Sequence, residues 1–384
     1  MLSYAIKVGI TASIVAASFA ATAAAKPGKI STPDYLRDTF TVERVLDWGS
    51  RPIWSADSKR IVFTRDDKSP SPAYELDLKT RKVRCLTCRF EKAGLVQRIY
   101  YLPDDSLLIL GPPGLDAARP APNTVQPGAS ELYWMPADAS LPPQALDAPA
   151  FGEIALDYAS LRGGPTRIAW GEFLTGMRMT VGSLVHDGKR ASISDRSVVY
   201  THPPADPASR VTFTETYDFL NAENAILFFT VEKGRPLNGM YKINLADGMI
   251  SPMPTDGQHI ETHLFPDTRY GLEESNRASD PSSPFRGMSG HPKNLAKILA
   301  AFSGVPDAAA LSERYAGRTF DLYAVDFQTG ERRRLTEVSD VGGQAHQSST
   351  ARNGKNIIFE MVAPQSGPFA GKSGLYLGTF SRKK

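Results

Sequence analysis

The chain has 384 residues, 41% hydrophobic and 22% charged, with 31 Gly and 29 Pro, the composition of an ordinary globular protein rich in turns. Its formal net charge of +3 is too weak a bias to point to nucleic acid or to an anionic membrane surface. After the leader described next, no stretch approaches 18 apolar residues, so no integral membrane segment is expected in the mature chain.

The first 25 residues carry one charge, Lys7, followed by an apolar run from Val8 to Ala20 and small residues from Ala21 to Ala25. That is the layout of a signal peptide, cleaved before Lys26, and it predicts a periplasmic or secreted protein. The apolar run is short for a bilayer and rich in Ala and Ser, which speaks against an anchor. Losing Lys7 takes the charge from +3 to +2.

From Arg51 to Leu86 the pattern predicts four short strands. A turn at Ala56-Asp57-Ser58-Lys59 precedes the β-formers Ile61-Val62-Phe63, and two further strands, from Ala73 to Leu78 and ending at Leu86, flank a polar turn at Lys79-Thr80. Four such strands make one small antiparallel sheet that cannot stand alone and must stack on copies of itself. The copies are present. The spacing from Asp57 to Phe63 recurs around Asp104, from Phe219 to Phe228, from Phe265 to Tyr270 and from Arg352 to Phe359, with a weaker trace from Arg162 to Trp170. The second half recurs as Tyr74–Leu78, Leu132–Trp134, Met240–Asn244, Leu322–Asp326 and Leu375–Leu377. Six units are expected.

Residues Pro52 to Phe63 and Leu322 to Thr336 (LYAVDFQTGERRRLT) carry this pattern most fully. They resemble the WD-like repeats of the TolB family, P-x-W-S-P-D-G-K-x-I-x-F followed by L-Y-x-x-D-x-x-T-G-E-x-x-x-L-T. Ala56 and Ser58 stand where that family has Pro and Gly. The resemblance spans most of residues 45–380 and implies an all-β, six-bladed β-propeller of four-stranded antiparallel blades, one domain over residues 26–384. Phe40 to Leu46 would supply the outer strand of the last blade and close the ring. Arg277 to Arg318 interrupts the fifth unit, and the helical spacing from Asn294 to Phe302 predicts a partly helical insertion.

Cys85 and Cys88 are the only cysteines. No His follows them, no second pair could complete a zinc site, and they sit at a strand end where a thioredoxin-like pair would open a helix. A local disulfide is the preferred reading, with free thiols or redox chemistry as the alternatives.

No G-x-S-x-G elbow, phosphate-binding loop, dinucleotide fingerprint or H-E-x-x-H occurs in the chain. The last strand lies close to Lys384, so a fused catalytic domain is not expected. Chemistry is then left to the channel that a propeller's innermost strands line. Six residues ahead of each turn lie Arg51, Arg98, Thr216, Glu261 and Gln347. His259, Glu261 and His263 alternate along one strand, with His346 in the next unit. A ring of Arg, Glu, Gln and His suits a protein, peptide or carbohydrate ligand, and the expected function is noncatalytic binding by a monomer without cofactor. The alternative is one divalent metal held by His259, His263 and His346, as in oligogalacturonate lyases, similar propellers that hold a metal through inner-strand His and Gln residues. Gln344 and His346 echo those residues, without reproducing the lyase spacing.

Overall fold

A computed structural model describes residues 32–65, 71–90, 96–116, 118, 130–158, 165–173, 177–202, 211–232, 239–254, 259–275, 277–278, 320–364 and 366–382. The leader lies outside the described residues, as does the insertion beyond its first two positions, including its expected helices.

The described strands form six four-stranded antiparallel sheets. The first strand, β1 (Thr39–Leu46), belongs to the last sheet. Blade one is β2 (Ser50–Trp54), β3 (Arg60–Thr64), β4 (Tyr74–Asp77) and β5 (Val83–Cys85). Blade two is β6 (Arg98–Tyr101), β7 (Leu107–Gly111), β8 (Glu131–Met135) and β9 (Gln144–Pro149). Blade three has longer strands, β10 (Phe151–Leu156), β11 (Thr166–Phe173), β12 (Met177–His186) and β13 (Ala191–His202). Blade four is β14 (Val211–Leu220), β15 (Ala225–Glu232), β16 (Gly239–Asn244) and β17 (Ile250–Pro252). Blade five is β18 (His259–Leu264), β19 (Tyr270–Ser275), β20 (Asp321–Asp326) and β21 (Arg332–Arg334), with the insertion between β19 and β20. Blade six is β22 (Gln344–Thr350), β23 (Asn356–Val362) and β24 (Gly374–Ser381), completed by β1, which pairs from Thr39↔Ser381 to Leu46↔Leu375. The expected closing strand is therefore in place.

The turn between the first two strands of a blade explains the repeat. In blade one, Asp57 Oδ1 accepts from the Ser55 hydroxyl at 2.7 Å and from the Lys59 N–H at 3.1 Å. The residue after this acid, or after Asn353 in blade six, turns back left-handed, with φ of 58° at Ser58, 71° at Asp105, 58° at Thr268 and 67° at Gly354. Only the last is the residue that region favours. The acid's hydrogen bonds hold the turn where the glycine of the repeat pattern is missing.

Each sheet alone is too small to be stable, and six apolar clusters join the faces of neighbouring blades. Tyr101, Ile109 and Tyr133 of blade two pack with Val62 and Leu86 of blade one. Trp134 of blade two joins Ile168 and Trp170 of blade three, and Phe219 and Phe228 of blade four join Ala169 and Met179. Leu227 and Met240 meet Leu264 and Phe320 of blade five; Leu322 meets Phe359 and Tyr376 of blade six; and Ile358 and Leu375 return to Trp54 and Phe63. Tyr35 is buried at the seam of blades five and six, 3.8 Å from the Phe265 ring centroid, and donates to Gly354 O at 2.8 Å. Cys85 and Cys88 form a disulfide with Cα atoms 5.7 Å apart, closing the end of β5.

Candidate functional site

The innermost strand of each sheet is β2, β6, β10, β14, β18 or β22. Ser55, Leu102, Asp157, Leu220, Phe265 and Ala351 each close the first hairpin of their blade. Counting four residues back from each gives Arg51, Arg98, Glu153, Thr216, Glu261 and Gln347. The sequence-selected positions are thus structurally equivalent, and Glu153 is the member missing from unit three.

Bulges decide which of these side chains meet. Register shifts fall between Ser50 and Ile53, Phe151 and Ile154, Thr216 and Asp218, His259 and Glu261, and His346 and Ser349. Three carry a left-handed residue, Arg51 (φ 54°), Gly152 (φ 74°) and Gln347 (φ 51°). A bulge re-aims the side chains beside it, so two neighbouring residues can serve one site.

Arg98, Glu261 and Gln347 are brought together. Gln347 Nε2 donates to Glu261 Oε1 at 3.1 Å, and Arg98 Nη1 donates to Gln347 Oε1 at 3.2 Å. Arg98 Nη2 pairs with Glu153 Oε1 at 2.5 Å, and the Tyr100 hydroxyl donates to Glu153 Oε2 at 2.5 Å. The Glu153 N–H donates to Glu215 Oε1 at 2.7 Å. Gly152 permits that approach: a Cβ there would collide with the Glu215 carboxylate. Behind Glu261, Glu274 stands directly opposite it on β19, is fully buried, and accepts the Ser348 N–H at 2.6 Å. Two residues further along β18, His263 Nδ1 lies 3.5 Å from Asp218 Oδ2, and its ring meets the Tyr217 ring edge-on at 5.5 Å.

The other selected residues point elsewhere. Thr216 gives its hydroxyl to Glu153 O at 2.7 Å and so ties blade four to blade three. Arg51 donates to Gln97 O at 3.5 Å. His346 is buried 3.8 Å from Glu360 Oε1, while Ser50 donates to Glu360 Oε2 at 2.5 Å. The side chain of His259 lies outside the described residues. Glu153, Glu215, Glu274, Tyr100, Tyr217 and Asp218 were not selected from the sequence.

A half-open cavity of about 40 Å³ lies beside this layer, walled by Ile53, Tyr100, Ile154, Tyr217, His263 and Ser349, one residue from each inner strand, together with Glu153, Asp218 and Arg352. It has room for a few water molecules or for a single side-chain end.

Burial and crowding set the charge states. Burial, then the charges of Glu153 and Glu261, push Glu215 up to about 8. Burial and the Glu261 charge push Glu274 up to about 8 as well, and burial with the Glu153 charge raises Glu261. Burial works to lower His263, but its hydrogen bond and charge contact with Asp218 outweigh that and carry it up to about 9. At neutral pH the layer therefore keeps extra protons on carboxyls and an imidazolium beside Asp218.

His263 and His346 are each turned to a different carboxylate, and no group of three His, Cys, Asp or Glu suited to a metal ion occurs among the described residues. The third residue of the alternative metal set, His259, has its side chain outside the described residues.

No family model matches the chain, and no curated protein does. Solved propellers do. An oligogalacturonate lyase in complex with manganese is 12% identical, with 91% of this chain and 95% of that one covered at a TM-score of 0.48. The oligogalacturonate lyase of Vibrio parahaemolyticus is 11% identical, covering 91% and 98%, with a TM-score of 0.46. TolB from Acinetobacter baumannii is 13% identical, covering 90% and 56%, with a TM-score of 0.33. The likeness is one of fold. Propellers host enzymes and binding proteins alike, so function rests on the site.

Proposed function

We propose that the chain is an exported, noncatalytic binding protein that docks a protein or peptide at the mouth of its axial channel and inserts one side chain or chain end into it. The observation that supports this is the cavity: six blades each give it a wall residue, and its polar groups converge from separate strands. A half-open cavity of about 40 Å³ has room for a chain end or a single side-chain end. Export is supported by the leader sequence and by the Cys85–Cys88 disulfide, a bond that persists in oxidising compartments. No helix among the described residues is long and apolar enough to cross a membrane.

The test is a calorimetric screen of the mature protein against short peptides and neutral and acidic oligosaccharides, repeated with Ser349→Tyr, which fills the cavity. The expected result is peptide binding lost in the filled variant, with the fold confirmed by circular dichroism. Peptide binding that survives in the filled variant, or binding of oligosaccharides alone, overturns the reading. Elemental analysis of protein purified without chelator runs alongside, and a stoichiometric divalent metal would move the assignment to the lyase-like alternative.

A further inference from the structure

The residue after each hairpin-closing position occupies one slot repeated around the ring, filled by Ala56, Pro103, Tyr158, Asn221, Pro266 and Arg352. Tyr158 belongs to blade three and Arg352 to blade six, and the apolar seams place these blades opposite each other in the ring. The two side chains meet across the axis. The Arg352 guanidinium carbon lies 3.2 Å from the Tyr158 ring centroid, and the Tyr158 hydroxyl is fixed by its bond to Tyr101 O at 3.2 Å. Stacking on a ring occupies the face of a guanidinium and leaves its N–H bonds in plane, free to donate. Among the described residues Arg352 makes no hydrogen bond and no ion pair.

Four charged side chains line the cavity, and three of them are matched. Glu153 is held by Arg98 at 2.5 Å, and Asp218 accepts from the Leu264 N–H at 2.9 Å and faces His263 Nδ1. Arg352 is the cation left over. His263 adds a second open donor, because Nδ1 is given to Asp218 and Nε2 has no partner among the described residues. We propose that the cavity is a receptor for a carboxylate of the docked polypeptide, a C-terminal or an Asp or Glu side-chain carboxylate, held by the Arg352 guanidinium and His263 Nε2. This rests on the docking reading above and names the group that enters.

The donor set and the space fit that group. The planar fork of arginine matches the two oxygens of a carboxylate, and about 40 Å³ admits a side-chain or chain end. A peptide carboxylate is favoured over that of an acidic sugar because it stands clear at the end of a chain, whereas a uronate carries its carboxylate directly on the ring. At neutral pH His263, carried up to about 9 against burial by Asp218, Glu153 and Glu261, keeps the proton that Nε2 donates. Burial lowers Arg352, and Tyr158, Asp218 and Asp157 offset this only in part; Asp157 is itself paired with Arg167 at 2.9 Å. A cation drawn from water without a contacting counter-charge gains most from an incoming anion.

The experiment is isothermal titration calorimetry at pH 7. The probes are Nα-acetyl-alanyl-alanine, for a chain end, and Nα-acetyl-glutamate methylamide, for a side chain. Nα-acetyl-alanyl-alanine amide and Nα-acetyl-glutamine methylamide are their neutral controls, and digalacturonate is the acidic-sugar arm. At least one probe is expected to bind about tenfold or more tighter than its control, and to lose about tenfold or more in Arg352→Gln and less in Arg352→Lys. Melting curves verify that both variants fold. A readout on the unaltered protein accompanies them: the His263 Cε1–H resonance is expected to move with the carboxylate probe and to stay with its amide. Equal affinity for probe and control, affinity indifferent to Arg352→Gln, an unmoved His263 resonance, or binding of digalacturonate without either peptide probe overturns the proposal. If a peptide from the docking screen is blocked by Ser349→Tyr but binds unchanged with its carboxyls converted to amides, docking stands and the carboxylate seat falls.

Discussion

Replacing Glu274 by Gln separates the cost of its buried acid from everything else in the blade. Below about pH 4.5 both folded and unfolded chains hold the proton, so Glu274 contributes no pH dependence there. Between 4.5 and about 8 the unfolded chain ionises while the folded one keeps its proton. The unfolded state then binds fewer protons, and stability falls as pH rises through that window. The full span corresponds to about 5 kcal/mol, and sharing of charge with Glu261 leaves about 2–3 kcal/mol assignable to this residue alone. The assay is urea unfolding from pH 5 to 9, followed through the buried Trp54, Trp134 and Trp170. The wild-type midpoint is expected to drop across the range and the Glu274→Gln midpoint to drop distinctly less, at unchanged m-value. Parallel curves for the two proteins would refute the claim that this carboxyl is held neutral by its surroundings.

Three further outcomes follow from named geometry. Thr268→Gly replaces a β-branched residue at φ 58° and is expected to stabilise by about 1 kcal/mol after the glycine's own entropy cost, a rise of one or two degrees in Tm by calorimetry; a fall would mean that the Thr268 side chain does more than endure its backbone. Gly152→Ala meets the Glu215 carboxylate at a residue with φ 74° and should lower stability by about 2 kcal/mol, whereas an unchanged melting temperature would remove the role given to Gly152. Tyr35→Ala empties a fully buried ring site between blades five and six and loses the bond to Gly354 O, which predicts a loss of about 3–5 kcal/mol by urea titration. A loss under about 1 kcal/mol would show that the segment before β1 is not docked there.

The propeller was legible in the sequence because the turns of blades one, two, five and six carry an acid or Asn that bonds its own backbone, as Asp57, Asp104, Asp267 and Asn353 do. That chemistry survives divergence in the strands. Cys85 and Cys88 were legible for a similar reason, since their spacing leaves a local bridge as the simplest outcome. The site was half legible. Arg98, Glu261 and Gln347 sit at one slot counted from the turn, but Glu153 was hidden because β10 and β11 are joined by a longer connection without the turn signal. Glu215 was hidden by the bulge after Thr216, which breaks the alternation that would have selected one of the two. Glu274 lies on a second strand, and only its pairing with Glu261 brings it to the channel. Alternation along one strand cannot report a contact made across two.

The pairing of β1 with β24 also fixes the order in which the molecule can be finished. Thr39 meets Ser381, a separation of 381 − 39 = 342 positions, and no other strand pair among the described residues spans such a distance. Bringing two ends together over that length costs about 5 kcal/mol of chain entropy, a sum regained only when the remaining sheets already hold the ends side by side. The first strand of the propeller in chain order is therefore the last to find its place. Until it does, β24 presents a bare edge, and a second chain offering its own first strand could complete the ring instead.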